Sequence, residues 1–427
     1  MLRALALMHV RSTPSLVTGR LDLLKYPFLA RLCGWFSPDQ IPAIGTFYAF
    51  FRRLYPETRI RKGALHRPSG RRLKLKPGQK LPPRRPGAVE RVARRVAREA
   101  ARGPRRPSPG DAWDRLLADT SVESVRRGIL PAEWRLGADS TAVESQASSF
   151  GKKQCDCEGH SCKCLRWFSD PMALTGWDSH RNRWFYGYMP QAMVVLNAAS
   201  GQTSHPLIVS FALHPGNRVD GVAFPDLLVK TQALYLNSGL YRDLGLQITH
   251  ALGDAAYDAN GLWTFTRERG VIPVFAPQQG VDPAHVSAAA TAAGITLNED
   301  NEPQCPAGSA LICLGIHRLG VTVYACPLRQ HRHATCETPC AKAGKMITVN
   351  DRGSRYAESG MPYGTPAWKT LFAERSGVER AFSLWKHQGL KQRRPHRRPY
   401  LWYGRLALGA IVAHHQAWTR EGEATAA

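Results

Sequence analysis

Phe372-Ala-Glu-Arg375-Ser-Gly-Val-Glu379-Arg-Ala-Phe-Ser-Leu-Trp-Lys386 is the stretch on which the reading of this 427-residue chain turns. Projected at 100° per residue, it places Phe372, Arg375, Glu379 and Lys386 within about 60° of one another. Leu371, Val378, Phe382 and Trp385 form a separate apolar stripe. The spacing predicts one helix that packs through the stripe and holds an acid between two cations. Such a face suits a metal or phosphate site, and it also suits plain solvation.

Upstream of that helix, short apolar runs are separated by Gly, Asn and Asp. Arg135 to Val143, Tyr186 to Asn197, Pro206 to Leu213, Gln247 to Gly253 and Val271 to Ala276 read as strands, and Phe224 to Leu236 and Ala259 to Arg269 as helices. The order is β-β-β-α-β-α-β. Residues 277–350 then interrupt it with Gly, Pro, Cys and β-rich segments such as Gly320 to Cys326. A last apolar helix, Leu401 to Trp418, follows the Glu379 helix. In this layout Asp139 lies on the first strand, Asp254 at the end of the fourth and Glu379 on a helix after the fifth. Three acids from distant places converge at one sheet edge, as phosphodiester chemistry with two shared divalent ions requires. Mg²⁺ suits such donors. Taken singly, Asp139 reads equally as a turn cap and Asp254 as a helix cap.

Charge points the same way. The chain carries 58 Lys and Arg against 33 Asp and Glu, a net +25. Between Arg52 and Arg106 there are 20 Lys and Arg and three acids, which is 17 of those 25 charges. Nucleic acid is the partner this implies. Glu90 to Arg102 is spaced as a basic helix, and Arg380, Lys391, Arg393, Arg394, Arg397 and Arg398 continue the positive surface past Glu379. Residues 21–55 have helical spacing broken by Gly34, Pro38 and Pro42, a small helical module. No apolar run reaches the length of a membrane span, and the opening residues lack a cleavage site, so a soluble, unsecreted protein is expected.

The ten cysteines are clustered, which favours metal over crosslinks. Cys155, Cys157, Cys162 and Cys164 stand with His160 in ten residues. A second group, Cys305, Cys313, Cys326, Cys336 and Cys340, lies with His317, His331 and His333. Cys155, Cys157, Cys162 and Cys164, and Cys305, Cys326, Cys336 and Cys340, are the candidate zinc ligands, weighed against free thiols.

Gly137-Ala-Asp139-Ser-Thr141, Ala251-Leu-Gly-Asp254-Ala-Ala-Tyr257-Asp and Arg375-xxx-Glu379-xxxxxx-Lys386 together resemble the three acidic motifs of DDE transposases from bacterial insertion sequences. The last is similar to that group's Tyr-xx-Arg-xxx-Glu-xxxxxx-Lys signature, with Phe372 in place of the tyrosine. Tyr26 to Gly34, Ile41-Pro and Phe47 to Leu54 resemble the family's N-terminal helical segment, and His214 to Asp220 a loop before its central helix.

The resemblance implies an α/β fold: a ribonuclease H-like mixed sheet with flanking helices, an inserted β- and loop-rich region before the Glu-bearing helix, and an N-terminal helical DNA-binding region. The corresponding division is 1–60 (DNA-binding module), 61–130 (basic arm and helix), 131–276 (core, first part), 277–350 (Cys-rich insertion), 351–418 (core, Glu-bearing and C-terminal helices) and 419–427 (disordered tail). It also implies metal-dependent strand cleavage at transposon ends and strand transfer into target DNA. Asp139, Asp254 and Glu379 would hold Mg²⁺ or Mn²⁺, while Arg375, Lys386, Phe372 and Arg380 would contact DNA. Asp220 and Asp258, additional acids near these motifs, rank as supporting or structural rather than catalytic. Terminal inverted repeats and target DNA are the implied partners, a homodimer on DNA the implied assembly, and the nucleoid of a bacterial cytoplasm the implied location. The competing readings are a silent DNA-binding derivative and a nuclease of the same fold.

Overall fold

The computed structural model describes residues 1–13, 15–55, 87–103, 110–158, 164, 166–178, 181–198, 205–237, 239, 241–278, 291, 293–298, 303–318, 321–330, 336, 344–350, 361, 363–386 and 398–426. Four helices open the chain: α1 (Leu2–Val10), α2 (Leu16–Lys25), α3 (Pro27–Leu32) and α4 (Ile44–Leu54). Then come α5 (Ala88–Ala101) and α6 (Asp111–Arg126). Most of the basic arm between Arg52 and Arg106 lies outside the described residues, at 56–86 and 104–109.

The central sheet has seven strands: β1 (Glu133–Ser140), β2 (Val143–Glu144), β5 (Leu174–Asp178), β6 (Arg183–Val195), β7 (Leu207–Pro215), β8 (Gln247–Gly253) and β9 (Ile272–Phe275). Residues 191–195 of β6 pair antiparallel with β1, and the same residues pair antiparallel with β7, so β6 lies between them. β1 pairs parallel with β8, and β8 parallel with β9. The spine of this mixed sheet therefore runs β7-β6-β1-β8-β9. β3 (Lys152–Lys153) and β4 (Arg166–Trp167) form a separate two-stranded ribbon.

Both faces of the sheet are covered, and side-chain alternation shows it. Ala192, Val194, Leu252 and Val274 point into one core, while Met193, Val195, Ala251 and Phe275 point into the other. The second core is roofed by α5, α6, α7 (Asp220–Tyr235) and α8 (Asn260–Glu268). The basic helix α5 buries Ala93 and Val96 there and pairs Arg95 with Asp226 at 3.0 Å. The first core is built from α1–α4, α10 (Pro366–Ala373), α11 (Ser376–Trp385) and α12 (Pro399–Ala426). The inserted region has its own small core of Ile295, Cys305, Leu311, Tyr324 and Ile347 under β10 (Thr296–Leu297), β11 (Pro303–Gln304), β12 (Ile312–Arg318), β13 (Val321–Ala325) and β14 (Met346–Asn350), with a short α9 (Pro327–Gln330).

The N-terminal helices pack into the first core, where Ala4, Leu5, Phe47 and Phe51 meet Trp385 and Leu406. Three expectations about element bounds are corrected. The central helix begins at Asp220 rather than Phe224, with Pro225 inside it. The stretch 372–386 is two helices, not one. Around Glu374 to Val378 the backbone makes i→i−3 bonds, such as Arg375 N to Phe372 O and Val378 N to Arg375 O, a tightened turn that separates α10 from α11. Finally, α12 runs to Ala426 across residues expected as a disordered tail, with His205 Nε2 and Glu421 Oε1 2.6 Å apart.

Candidate functional site

Asp139 stands near the C-terminal end of β1 and Asp254 directly after β8. Because β1 and β8 are parallel neighbours, both acids emerge at the same sheet end. α11 lies against β1 where Gly137 leaves room: a Cβ there would stand 2.3 Å from Val378 Cγ2. That close approach puts Glu379, the next residue, beside the two aspartates.

The three acids meet at one guanidinium. Arg375 Nη2 is 3.6 Å from Asp139 Oδ2 and 3.8 Å from Asp254 Oδ2, and Nη1 is 3.6 Å from Glu379 Oε1. The tightened turn aims Arg375 this way, and Arg135, paired with Glu374, ties that turn to β1. The Arg375 side chain is 18% exposed, whereas that of Glu379 is 70% exposed. Each aspartate also accepts from a backbone N–H: Asp139 Oδ1 from Ser140 N at 2.8 Å within β1, and Asp254 Oδ1 from Ala256 N at 2.9 Å, where it caps the short 3₁₀ turn Ala255–Tyr257 and not α8, whose N-cap is Ala259.

Burial pushes the Asp139 carboxyl up to about 7; the nearby charges of Asp220 and Asp254 add to this, and the Ser140 N–H and Arg375 oppose it. Asp220 is raised too, mainly by burial, with Asp254 adding and a hydrogen bond with the Ser140 side chain opposing. The start of α7 thus carries a fourth acid, Asp220, into the same field. Gln191 Nε2 donates to Tyr257 Oη at 2.9 Å and to the Asp220 carbonyl at 3.1 Å, so a buried amide props the floor beneath the acids. Asp258 is turned away from them. Its carboxylate accepts from Trp263 Nε1 at 3.0 Å and Gln278 N at 2.8 Å.

Of the expected DNA contacts, Phe372 is on α10 and stacks on Trp368 at 4.5 Å. Arg380 is exposed, with Nη1 3.4 Å from Ser376 Oγ. Lys386 is half-buried at the end of α11. Lys391, Arg393, Arg394 and Arg397 lie outside the described residues.

The cysteine groups differ. Cys155, Cys157 and Cys164 bring their Sγ atoms within 4.8 Å of one another, and Cys162 lies outside the described residues. Cys164 is pushed up to about 12 by hydrogen bonds and charge from Cys157 and Cys155. Cys305, Cys326 and Cys336 gather into no such trio among the described residues, and Cys340 lies outside them. Cys305 is packed as a small apolar side chain.

As a donor set, Asp139, Asp254 and Glu379 offer hard oxygens, and with Asp220 nearby the negative charge exceeds what one guanidinium balances. Arg375 stands where a cation is wanted. The set fits divalent ions that prefer oxygen. Among the described residues, no helix is long and apolar enough to cross a membrane. No curated protein matches the chain. A family model described as "Transposase DDE domain" matches residues 139–399, from the first of these acids to the start of α12. With the motifs, the fold and the acids in agreement with that match, the chain belongs to the transposase DDE domain family.

Proposed function

We propose that the protein is a DDE transposase that cleaves DNA at the ends of its element and joins those ends to target DNA. The observation that carries this is the convergence of Asp139, Asp254 and Glu379 on Arg375. The sheet order β7-β6-β1-β8-β9, with β6 antiparallel to β1, supports a ribonuclease H-like reading of the core.

Asp139, Asp254 and Glu379 would hold Mg²⁺ or Mn²⁺. Bound divalent ions supply activation of a nucleophile and neutralisation of the leaving oxygen. The chain's own residues prepare the place. β1 and β8 fix two carboxylates on rigid strand ends, and the exposed Glu379 side chain is free to turn on α11. Arg375 screens the acids from one another, and once displaced it is within reach of a phosphate. Arg380, Lys386 and the basic run after it would extend that contact along the DNA backbone, with the basic arm before α5 adding sequence-independent affinity. A dimer bringing two ends together fits this reading.

The test is a duplex carrying the element's terminal repeats, incubated with Mg²⁺ or Mn²⁺. Cleavage at the ends and joined products are expected, and Asp139→Asn, Asp254→Asn and Glu379→Gln should each reduce cleavage by about a thousandfold or more. Cleavage without joined products would make the protein a nuclease. Binding without cleavage under any divalent ion would make it a silent binder.

A further inference from the structure

We propose that Cys155, Cys157 and Cys164 form a thiolate zinc site that closes the loop of the β3–β4 ribbon. It shares no residue with the carboxylate set and offers soft donors in place of hard ones.

The ribbon's pairing brings the thiols together. Lys152 pairs with Trp167 and Lys153 with Arg166, so the chain leaves β3 and enters β4 at one end of the ribbon. Cys155 and Cys157 follow β3 by two and four residues, and Cys164 precedes β4 by two. Cys157 and Cys164 Sγ are 3.5 Å apart, and all three Sγ atoms lie within 4.8 Å. Three corners of a tetrahedron with Zn–S bonds of about 2.3 Å are about 3.8 Å apart, so the trio needs only a small adjustment.

A second observation shows why such a clamp is wanted. At its base the segment is anchored: Asp170 accepts from Ser145 Oγ at 2.7 Å and Tyr188 Oη at 2.5 Å, and its carbonyl accepts from Tyr186 Oη at 2.9 Å. Beyond that base, no described residue from Ser148 to Trp167 is buried. A ladder of two residues a side, with only the half-buried Phe168 ring against Gly151 among the described residues, is not self-supporting in water. Metal–thiolate bonds supply the missing free energy, as in small domains that fold only with zinc. A disulfide would use two of the three thiols and leave the third unexplained. Binding converts the thiols to thiolates and releases their protons to solvent.

The test uses the full chain, purified without chelator and kept reduced with a phosphine. Metal analysis should find zinc, with about one equivalent lost in the Cys155→Ser/Cys157→Ser/Cys164→Ser variant and retained in Asp139→Asn. Cobalt added to chelator-stripped protein should give the intense sulfur-to-metal absorption of a thiolate site, which carboxylates do not give. Trypsin should cut after Lys152, Lys153 and Arg166 at least about tenfold faster once the metal is removed, and zinc, but not magnesium, should restore protection. If the triple variant does not fold, the cobalt spectrum and the proteolysis of the wild type still decide the matter. Zinc content equal in wild type and variant, absence of the sulfur-to-cobalt band, or a Cys157–Cys164 disulfide that survives the reductant would overturn the proposal.

Discussion

Arg375 Nη2 lies 3.6 Å from Asp139 Oδ2, and through the same guanidinium Asp139 is linked to Asp254 and Glu379. In the absence of metal, this arginine is the counter-charge that lets the carboxylates stand together. Arg375→Ala should therefore lower stability without divalent ions by about 1–2 kcal/mol, less than the loss for a fully buried pair because Glu379 is mostly solvated. Added Mg²⁺ should then raise the melting temperature more in the variant than in the wild type. Thermal unfolding with and without Mg²⁺ measures both effects, and equal increments would show that Arg375 does not stand in for the ions.

Gly137 matters for spacing. A methyl group there would stand 2.3 Å from Val378 Cγ2 and 2.9 Å from Leu196 Cδ1, so Gly137→Ala must push α11 away from β1. Cleavage should drop by about a hundredfold, from displacement of Glu379 by a fraction of its own size. Val378→Ala in the same chain should recover about tenfold of that loss. Cleavage rates of the single and double variants provide the check.

Lys230 is a buried cation. Its Nζ donates to Asp114 Oδ1 at 2.7 Å, to the Phe211 carbonyl at 2.5 Å and to Tyr403 Oη at 2.8 Å, joining α7, α6, β7 and α12. Lys230→Met leaves the buried Asp114 carboxylate with the Tyr403 hydroxyl at 2.6 Å but no counter-charge, and should cost about 3–5 kcal/mol in urea unfolding. The double variant Asp114→Asn/Lys230→Met should recover more than half of that.

His414 gives a pH dependence with a definite sign. It is buried on α12 with Nδ1 2.7 Å from Ser124 Oγ and Nε2 3.0 Å from the Ile208 carbonyl, and burial lowers its pKa from 6.5 to about 4. Between those values the unfolded chain binds a proton that the folded protein refuses. Stability is therefore lost as pH falls through the window from about 6.5 to about 4, by up to roughly 3 kcal/mol from this group. Buried Asp139 and Asp170, both raised, act in the opposite direction. The measurement is thus the change in unfolding free energy between pH 6.5 and pH 4 in wild type and in His414→Gln, which should differ by that amount in favour of the variant at the lower pH.

Much of the core was legible because its elements obey simple periods. β1, β6, β7, β8 and β9 fall within a few residues of the runs that suggested them, which places Asp139 on the first strand and Asp254 at the end of the fourth run. What was hidden depends on contacts between distant residues. The turn that aims Arg375 at the acids is tied by Glu374 to Arg135, 239 positions away, so a helical projection of residues 372–386 could not find it. Asp220 and Asp258 read alike as acids near the motifs, and only the packing separates them: Asp220 lies in the field of Asp254, while Asp258 is held by Trp263 and Gln278. The prop made by Gln191 and Tyr257 joins a strand to a loop and has no spacing to read. The burial of α1 and α4 beside α12 also changes what an N-terminal truncation means, since removing these helices strips a core as well as positive charge.

Thr13 and Arg405 are 392 positions apart in sequence, yet Arg405 Nη1 donates to the Thr13 carbonyl at 3.5 Å, and Trp385 Nε1 on α11 donates to Leu406 O at 2.8 Å. The earliest helices and the Glu379 helix therefore wait on the same late element, α12. During synthesis, the two aspartates emerge well before the segment that seats their third partner. A nascent chain on the ribosome, or one cut short before Pro399, is thus expected to leave Glu379 unseated beside the two aspartates, so that the site assembles only once α12 has been made.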